Sequence, residues 1–132
     1  MVELARCPDG ATGRSIAENQ YLPVAYLEQI LARLRNAKLV SSIRGARGKF
    51  ILARDSETIT LAQILEAVEG PITIAECDDV PYCQTNSTVC VLRKVYVGAN
   101  KVLYDYLNGI TLAKLAKQQE EQELPAKSDY AI

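Results

Sequence analysis

No histidine occurs among the 132 residues of this chain, and that absence removes several chemistries at once. A Ser-His-Asp or Cys-His centre cannot be assembled, nor can any zinc site that uses an imidazole ligand. There is no Trp, and the aromatics are one Phe and seven Tyr. No apolar run nears the roughly 18 residues that mark a membrane-spanning helix. The opening Met1-Val2-Glu3-Leu4-Ala5-Arg6 lacks a basic segment followed by an apolar one, so it does not read as a secretion signal. The expectation is a cytoplasmic protein that does not enter a membrane. Glycine-rich phosphate loops and paired carboxylates on a pocket-like element are also missing, and Asp78-Asp79 reads as solvated charge. An enzyme is therefore the weakest class open to the chain.

The charge is present but unevenly placed. Residues 12–54 carry eight bases (Arg14, Arg33, Arg35, Lys38, Arg44, Arg47, Lys49, Arg54) against Glu18 and Glu28. Residues 55–92 carry seven acids and no base. A segment of +6 beside one of −7 suits a surface that meets a polyanion on one side only, although uneven solvated charge is common in small proteins.

Periodicity then gives the elements. Pro8-Asp9-Gly10 reads as the turn closing a helix that ends near the N-terminus. A short helix is expected over residues 13–19, carrying Ile16 and Ala17 inward, with a break at Tyr21-Leu22-Pro23. The next helix runs to about residue 37, with Leu27, Ile30, Leu31 and Leu34 in one stripe. Two helices joined by a tight break form a helix-turn-helix, the second placed for recognition. Residues 39–43 and 49–53 read as two strands around the turn Arg44-Gly45-Ala46-Arg47-Gly48, a hairpin wing. A further helix starts at Thr60, where Thr60 and Gln63 form a capping box, with Leu61, Ile64, Leu65 and Val68 as its core stripe. It stops at Gly70-Pro71.

Residues 72–90 have no period and contain Cys77, Cys83 and Cys90. The longest helix follows, over about residues 88–108. Its stripe of Leu92, Val95, Tyr96, Ala99, Leu103, Tyr106 and Leu107 exceeds what one small domain can cover, so it is read as the interface of a homodimer. Packing wholly on its own domain is the alternative. The expected organisation is a winged helix-turn-helix over 1–71, a cysteine loop over 72–90, a dimerisation helix with a short following helix over 88–117, and a polar tail over 118–132, disordered at its end. The fold class is mainly α with a small β-hairpin wing.

Several runs carry a resemblance: Ile16-Ala17-Glu18, Tyr26-Leu27-Glu28-Gln29, Leu34-Arg35, Leu39-Val40-Ser41-Ser42-Ile43-Arg44-Gly45, Ile59-Thr60-Leu61, and Glu66-Ala67-Val68-Glu69-Gly70-Pro71. With the cysteine loop, they resemble the Rrf-type winged-helix regulators, the family of IscR, NsrR and CymR, over nearly the whole chain to Lys117. Members usually open with a basic segment and a longer first helix, of which Met1–Ala5 resembles the end, so the start is expected to be truncated or misassigned. Arg47 and Lys49 stand where glycines are common in the wing.

The resemblance implies a dimeric regulator on palindromic double-stranded DNA. Tyr26, Glu28 and Gln29 are then the groove-facing set. Glu28 suits cytosine N4 and Gln29 suits adenine, while an ordinary exposed face is the alternative for both, and half-buried packing for Tyr26. Arg44, beside Gly45 at the wing tip, suits a narrow minor groove, and Arg33, Arg47 and Lys49 suit phosphates. Cys7 reads as a small core residue. In cluster-binding relatives the three cysteines corresponding to Cys77, Cys83 and Cys90 are ligands of an iron–sulfur cluster, so a cluster is expected here, [2Fe-2S] ahead of [4Fe-4S]. Where some relatives place a histidine fourth ligand this chain has Arg93, which cannot serve. The alternatives are a cluster-free thiol redox switch or a cysteine-metabolism regulator of the CymR type and, as a different class, a cluster carrier that does not bind DNA.

Overall fold

Leu27, Leu31 and Leu34 lie on one face of a single helix and all three are buried, which fixes the centre of the fold. The computed structural model describes residues 1–45, 48–74 and 90–129, without the side chains of 125–129. Its elements are α1 (Val2–Ala5), β1 (Ala11–Thr12), α2 (Gly13–Asn19), α3 (Val24–Asn36), β2 (Val40–Ser42), β3 (Lys49–Leu52), α4 (Leu61–Glu69), α5 (Val91–Asn108) and α6 (Leu112–Asp129), with a 3-10 turn at Ser56–Thr58.

Each boundary has a local cause. Thr12 caps α2 by accepting from the Ser15 N–H at 3.0 Å. Beyond α2, Leu22 N donates to Ala17 O and Tyr21 N to Glu18 O, with Tyr21 at φ +54. The same pattern ends α3: Leu39 N donates to Leu34 O and Lys38 N to Arg35 O, with Lys38 at φ +61. Both are Schellman closures in which a left-handed residue reverses the chain. The first makes the turn of the helix-turn-helix, and Pro23 stands at the N-cap position of α3 directly after it, without a side-chain cap bond. Thr60 and Gln63 form the expected capping box on α4.

The sheet has three antiparallel strands in the order β1-β3-β2. Val40 pairs with Leu52 and Ser42 with Phe50, as a wing hairpin requires, and β1 adds Ala11 opposite Phe50. That third strand is absent from the sequence reading, because two residues are too few to show a period of two.

Ile16, Ala17, Leu39 and Val40 complete the buried cluster around α3, together with Leu4 from α1 and with Ile59 and Leu112, which have no exposed surface. Cys7 is half-buried against this cluster, as expected of a small core residue. On α4 the fully buried residue is Ala62, while Ile64, Ala67 and Val68 pack on the core and Leu61 and Leu65 are half-buried outside it. The expected stripe is shifted because α4 packs on both α3 and α5 and shares its apolar arc between them.

The polar segment from Gln118, expected as a tail, continues α6 to Asp129. Its Gln, Glu and Lys residues are good helix formers. The Arg6 guanidinium also ties α6 back to α1 through two bonds to the Glu123 carboxylate, at 3.0 and 2.7 Å. Hydrogen bonding to Glu123 raises the Arg6 pKa further above its ordinary value. Between α5 and α6 the chain is stitched to the winged domain. Leu61 N donates to Ile110 O at 2.9 Å, Leu112 N to Ile59 O at 2.8 Å, and Thr60 Oγ1 bonds Asn108 Oδ1 at 2.9 Å.

Candidate nucleic-acid interface

Because Leu27, Leu31 and Leu34 turn inward, the residues between them face outward. Glu28 and Gln29 are exposed, and Tyr26 is 51% exposed, which favours a surface role over packing. On a helical projection Glu28 lies on the side of Val24 and Arg35, and Gln29 follows Ala25 one turn on. Arg35 Nη1 reaches Ser42 Oγ at 3.5 Å, so the Glu28 side is the one turned to the wing.

The wing supplies cations on that side. Arg44 and Gly45 are exposed at the turn, Gly45 has φ +79, and Lys49 is exposed at the first position of β3. Gly48 has φ +65, so both glycines hold a left-handed backbone that other residues rarely adopt. Arg47 lies outside the described residues. Between α2, α3 and the wing runs an open cleft of about 500 Å³ lined by Thr12, Gly13, Arg14, Val24, Glu28, Gly48 and Phe50. The cleft brings Glu28 together with Arg14, an exposed residue of α2 that sequence reasoning had counted only as charge. Arg14 also pairs with Glu18 at 3.6 Å across one helical turn.

Arg33 is placed differently from the other candidate cations. It is exposed, but its Nη1 donates to Val68 O at 2.8 Å, at the last turn of α4. The guanidinium is thus held toward α4 and serves one of that helix's unsatisfied carbonyls.

Along α5 no residue is fully buried in the single chain. The predicted stripe divides in two. Tyr96, Leu103 and Leu107 are half-buried, and α5 packs on α4. Leu92, Val95 and Tyr106 are exposed by 58%, 58% and 69%, with Ala99 between them on the projection. Val91 and Val102, both more than 70% exposed, continue that arc and were missed from sequence because they sit at the edge of the stripe. Of the three loop cysteines only Cys90 is described; it is the N-cap of α5, half-buried, with its thiol free. Cys77 and Cys83 lie outside the described residues, and among those described no three His, Cys, Asp or Glu side chains gather as a metal site.

A helix-turn-helix with a wing and a long following helix has counterparts, and the decisive one is a family match. Residues 1–118 match the Rrf2 family, described as iron-dependent transcriptional regulators. The chain belongs to the Rrf2 family. It is 32% identical over 117 residues to the transcriptional regulator IscR of Vibrio campbellii, covering 89% of this chain and 69% of that protein. Two solved structures show the same fold. CymR, the global cysteine regulator of B. subtilis, is 33% identical with a TM-score of 0.70, over 89% of this chain and 87% of that one. T. potens IscR is 34% identical with a TM-score of 0.71, over 92% and 80%. The Rrf2 family comprises transcription regulators, not enzymes, and its winged helix-turn-helix is a DNA-binding fold. Among the described residues no helix is long and apolar enough to cross a membrane.

Proposed function

We propose that this Rrf2-family chain is a cytoplasmic homodimer that binds a palindromic operator and couples that binding to its cysteine loop. The observation that carries the reading is the joint exposure of Glu28 and Gln29 on α3 beside a wing bearing Arg44 and Lys49. Tyr26, Glu28 and Gln29 enter the major groove, Arg44 with Gly45 addresses the minor groove, and Lys49 and Arg47 meet phosphates. The exposed arc of α5 supplies the contact between copies. Fluorescence anisotropy with random and selected duplexes tests it; equal, salt-insensitive binding to both, or none, rules it out.

The sensing element is Cys77, Cys83 and Cys90, which would hold an iron–sulfur cluster. Cys90 fits this use, being a free thiol at the head of α5 that makes no capping hydrogen bond. A bound cluster supplies one-electron redox chemistry and sensitivity to oxidants or nitric oxide. The chain's own part is to present three sulfurs on the segment that leads into the dimer helix. [2Fe-2S] is favoured over [4Fe-4S], and the fourth ligand comes from outside this loop. A second reading, a cluster-free thiol switch or a regulator of cysteine metabolism, is favoured by the likeness to CymR, which is close to that to IscR. Anaerobic reconstitution with iron and sulfide separates the two. Visible absorption that vanishes in Cys83→Ala supports the cluster, whereas colourless protein whose DNA binding responds to thiol oxidants supports the switch.

A further inference from the structure

The opening turn of α3 has an unexpected composition for a helix that reads bases. Pro23, Val24 and Ala25 begin it, and none of these side chains carries a hydrogen-bond donor or acceptor. Val24 and Ala25 are nonetheless exposed, Val24 by 42%. The core contacts of α3 are already made by Leu27, Leu31 and Leu34, so internal packing does not account for them. Among the described residues, most other exposed large apolar side chains lie on α5. The start of α3 is thus an apolar surface of its own.

Its surroundings carry three cations, with Glu28 as the acid lining the same cleft. Arg14 lines the same cleft as Val24, and Arg44 and Lys49 stand exposed on the neighbouring wing. An apolar patch flanked by cations fits a polyanion whose accessible edge carries methyl groups. In the major groove of DNA the C5-methyl of thymine is that group, and small apolar side chains are what contact it. Position along the helix adds a register. Val24 and Glu28 are one turn apart on the same face, as are Ala25 and Gln29. Four residues rise about 6 Å, which is about two base-pair steps of roughly 3.4 Å.

We propose that Val24 and Ala25 read thymine through its methyl group, so that each half-site carries a thymine within about two base pairs of the position read by Gln29. This inference rests on the DNA-binding reading above and adds a base preference to it.

The test begins by selecting duplexes from a random library with the full-length protein, then remaking the enriched site with deoxyuridine at each thymine in turn. Deoxyuridine keeps every hydrogen-bonding group of thymine and removes only the methyl. The expected result is a loss of about fourfold in affinity at one position per half-site, the worth of one buried methyl group. Ala25→Ser and Val24→Ser should each bring the thymine-to-uracil affinity ratio toward one. Because that ratio is taken within a single preparation, partial loss of folding in a variant cancels. If no site is enriched, the DNA-binding reading fails and this inference with it. An enriched site that binds equally well with uracil at every position overturns this inference alone.

Discussion

Lys38 and Tyr21 hold backbone conformations that suit glycine, at φ +61 and +54, and each closes a helix whose end the core needs. Leu34 and Leu39 flank the Lys38 turn and are both buried, so the geometry is imposed by packing rather than by the residue itself. Lys38→Gly should therefore stabilise the fold by about 0.5–1 kcal/mol, the left-handed penalty less the greater freedom of glycine in the unfolded chain. Urea unfolding checks it through a higher midpoint at constant slope. Gly10 is the opposite case. At φ +92, an added Cβ would lie 2.7 Å from Ile43 Cδ1 and 2.9 Å from Phe50 O, where β1 meets the wing. Gly10→Ala should cost about 1–3 kcal/mol, because backbone strain and overpacking coincide. An unchanged midpoint would show that the wing moves aside freely.

At the scale of elements, the sequence was most legible where a side-chain period runs long enough to repeat. The stripe Leu27, Ile30, Leu31, Leu34 gave α3 its inner face, and Thr60 with Gln63 gave the start of α4. The two-residue strand β1 was not legible, and neither was the division of the α5 stripe, since amphipathicity says how wide an apolar arc is but not which neighbour covers it. The exposed arc now decides the dimer test. Val95→Glu combined with Val102→Glu should yield monomers in sedimentation velocity with the helical circular dichroism retained. Charges at Leu103 and Leu107, which are half-buried within the single chain, should lower stability as well. A stable dimer in the first double variant places the interface elsewhere. Arg33 was read from sequence as a phosphate contact, and its bond to Val68 O needed the tertiary arrangement. Arg33→Ala should cost about 0.5–1.5 kcal/mol of stability, the worth of a typical hydrogen bond, and leave the salt dependence of DNA binding unchanged. A shallower slope would return it to the phosphate contacts.

The whole molecule combines a basic winged half with an acidic stretch that follows it, +6 over residues 12–54 and −7 over 55–92. In the proposed dimer, the wing cations Arg44 and Lys49 would be presented to DNA once by each copy. This doubling has a measurable signature. Each cation that neutralises a phosphate contributes about 0.9 to the slope of log affinity against log salt. In a dimer engaging both half-sites, every phosphate contact made by one protomer is made again by the other. Lys49→Ala should then reduce the slope by about 1.8 and weaken cognate and random duplexes alike. Arg44→Ala should instead fall mainly on the cognate site, by about 1–3 kcal/mol, because a minor-groove arginine responds to groove width and hence to sequence. The two variants are compared by anisotropy on both duplexes across a salt series. A Lys49→Ala change near 0.9 means that a single protomer touches DNA, and the palindromic reading is wrong. Identical behaviour of the two variants on both duplexes means that the wing supplies charge and no sequence discrimination, which would leave α3 as the sole reader.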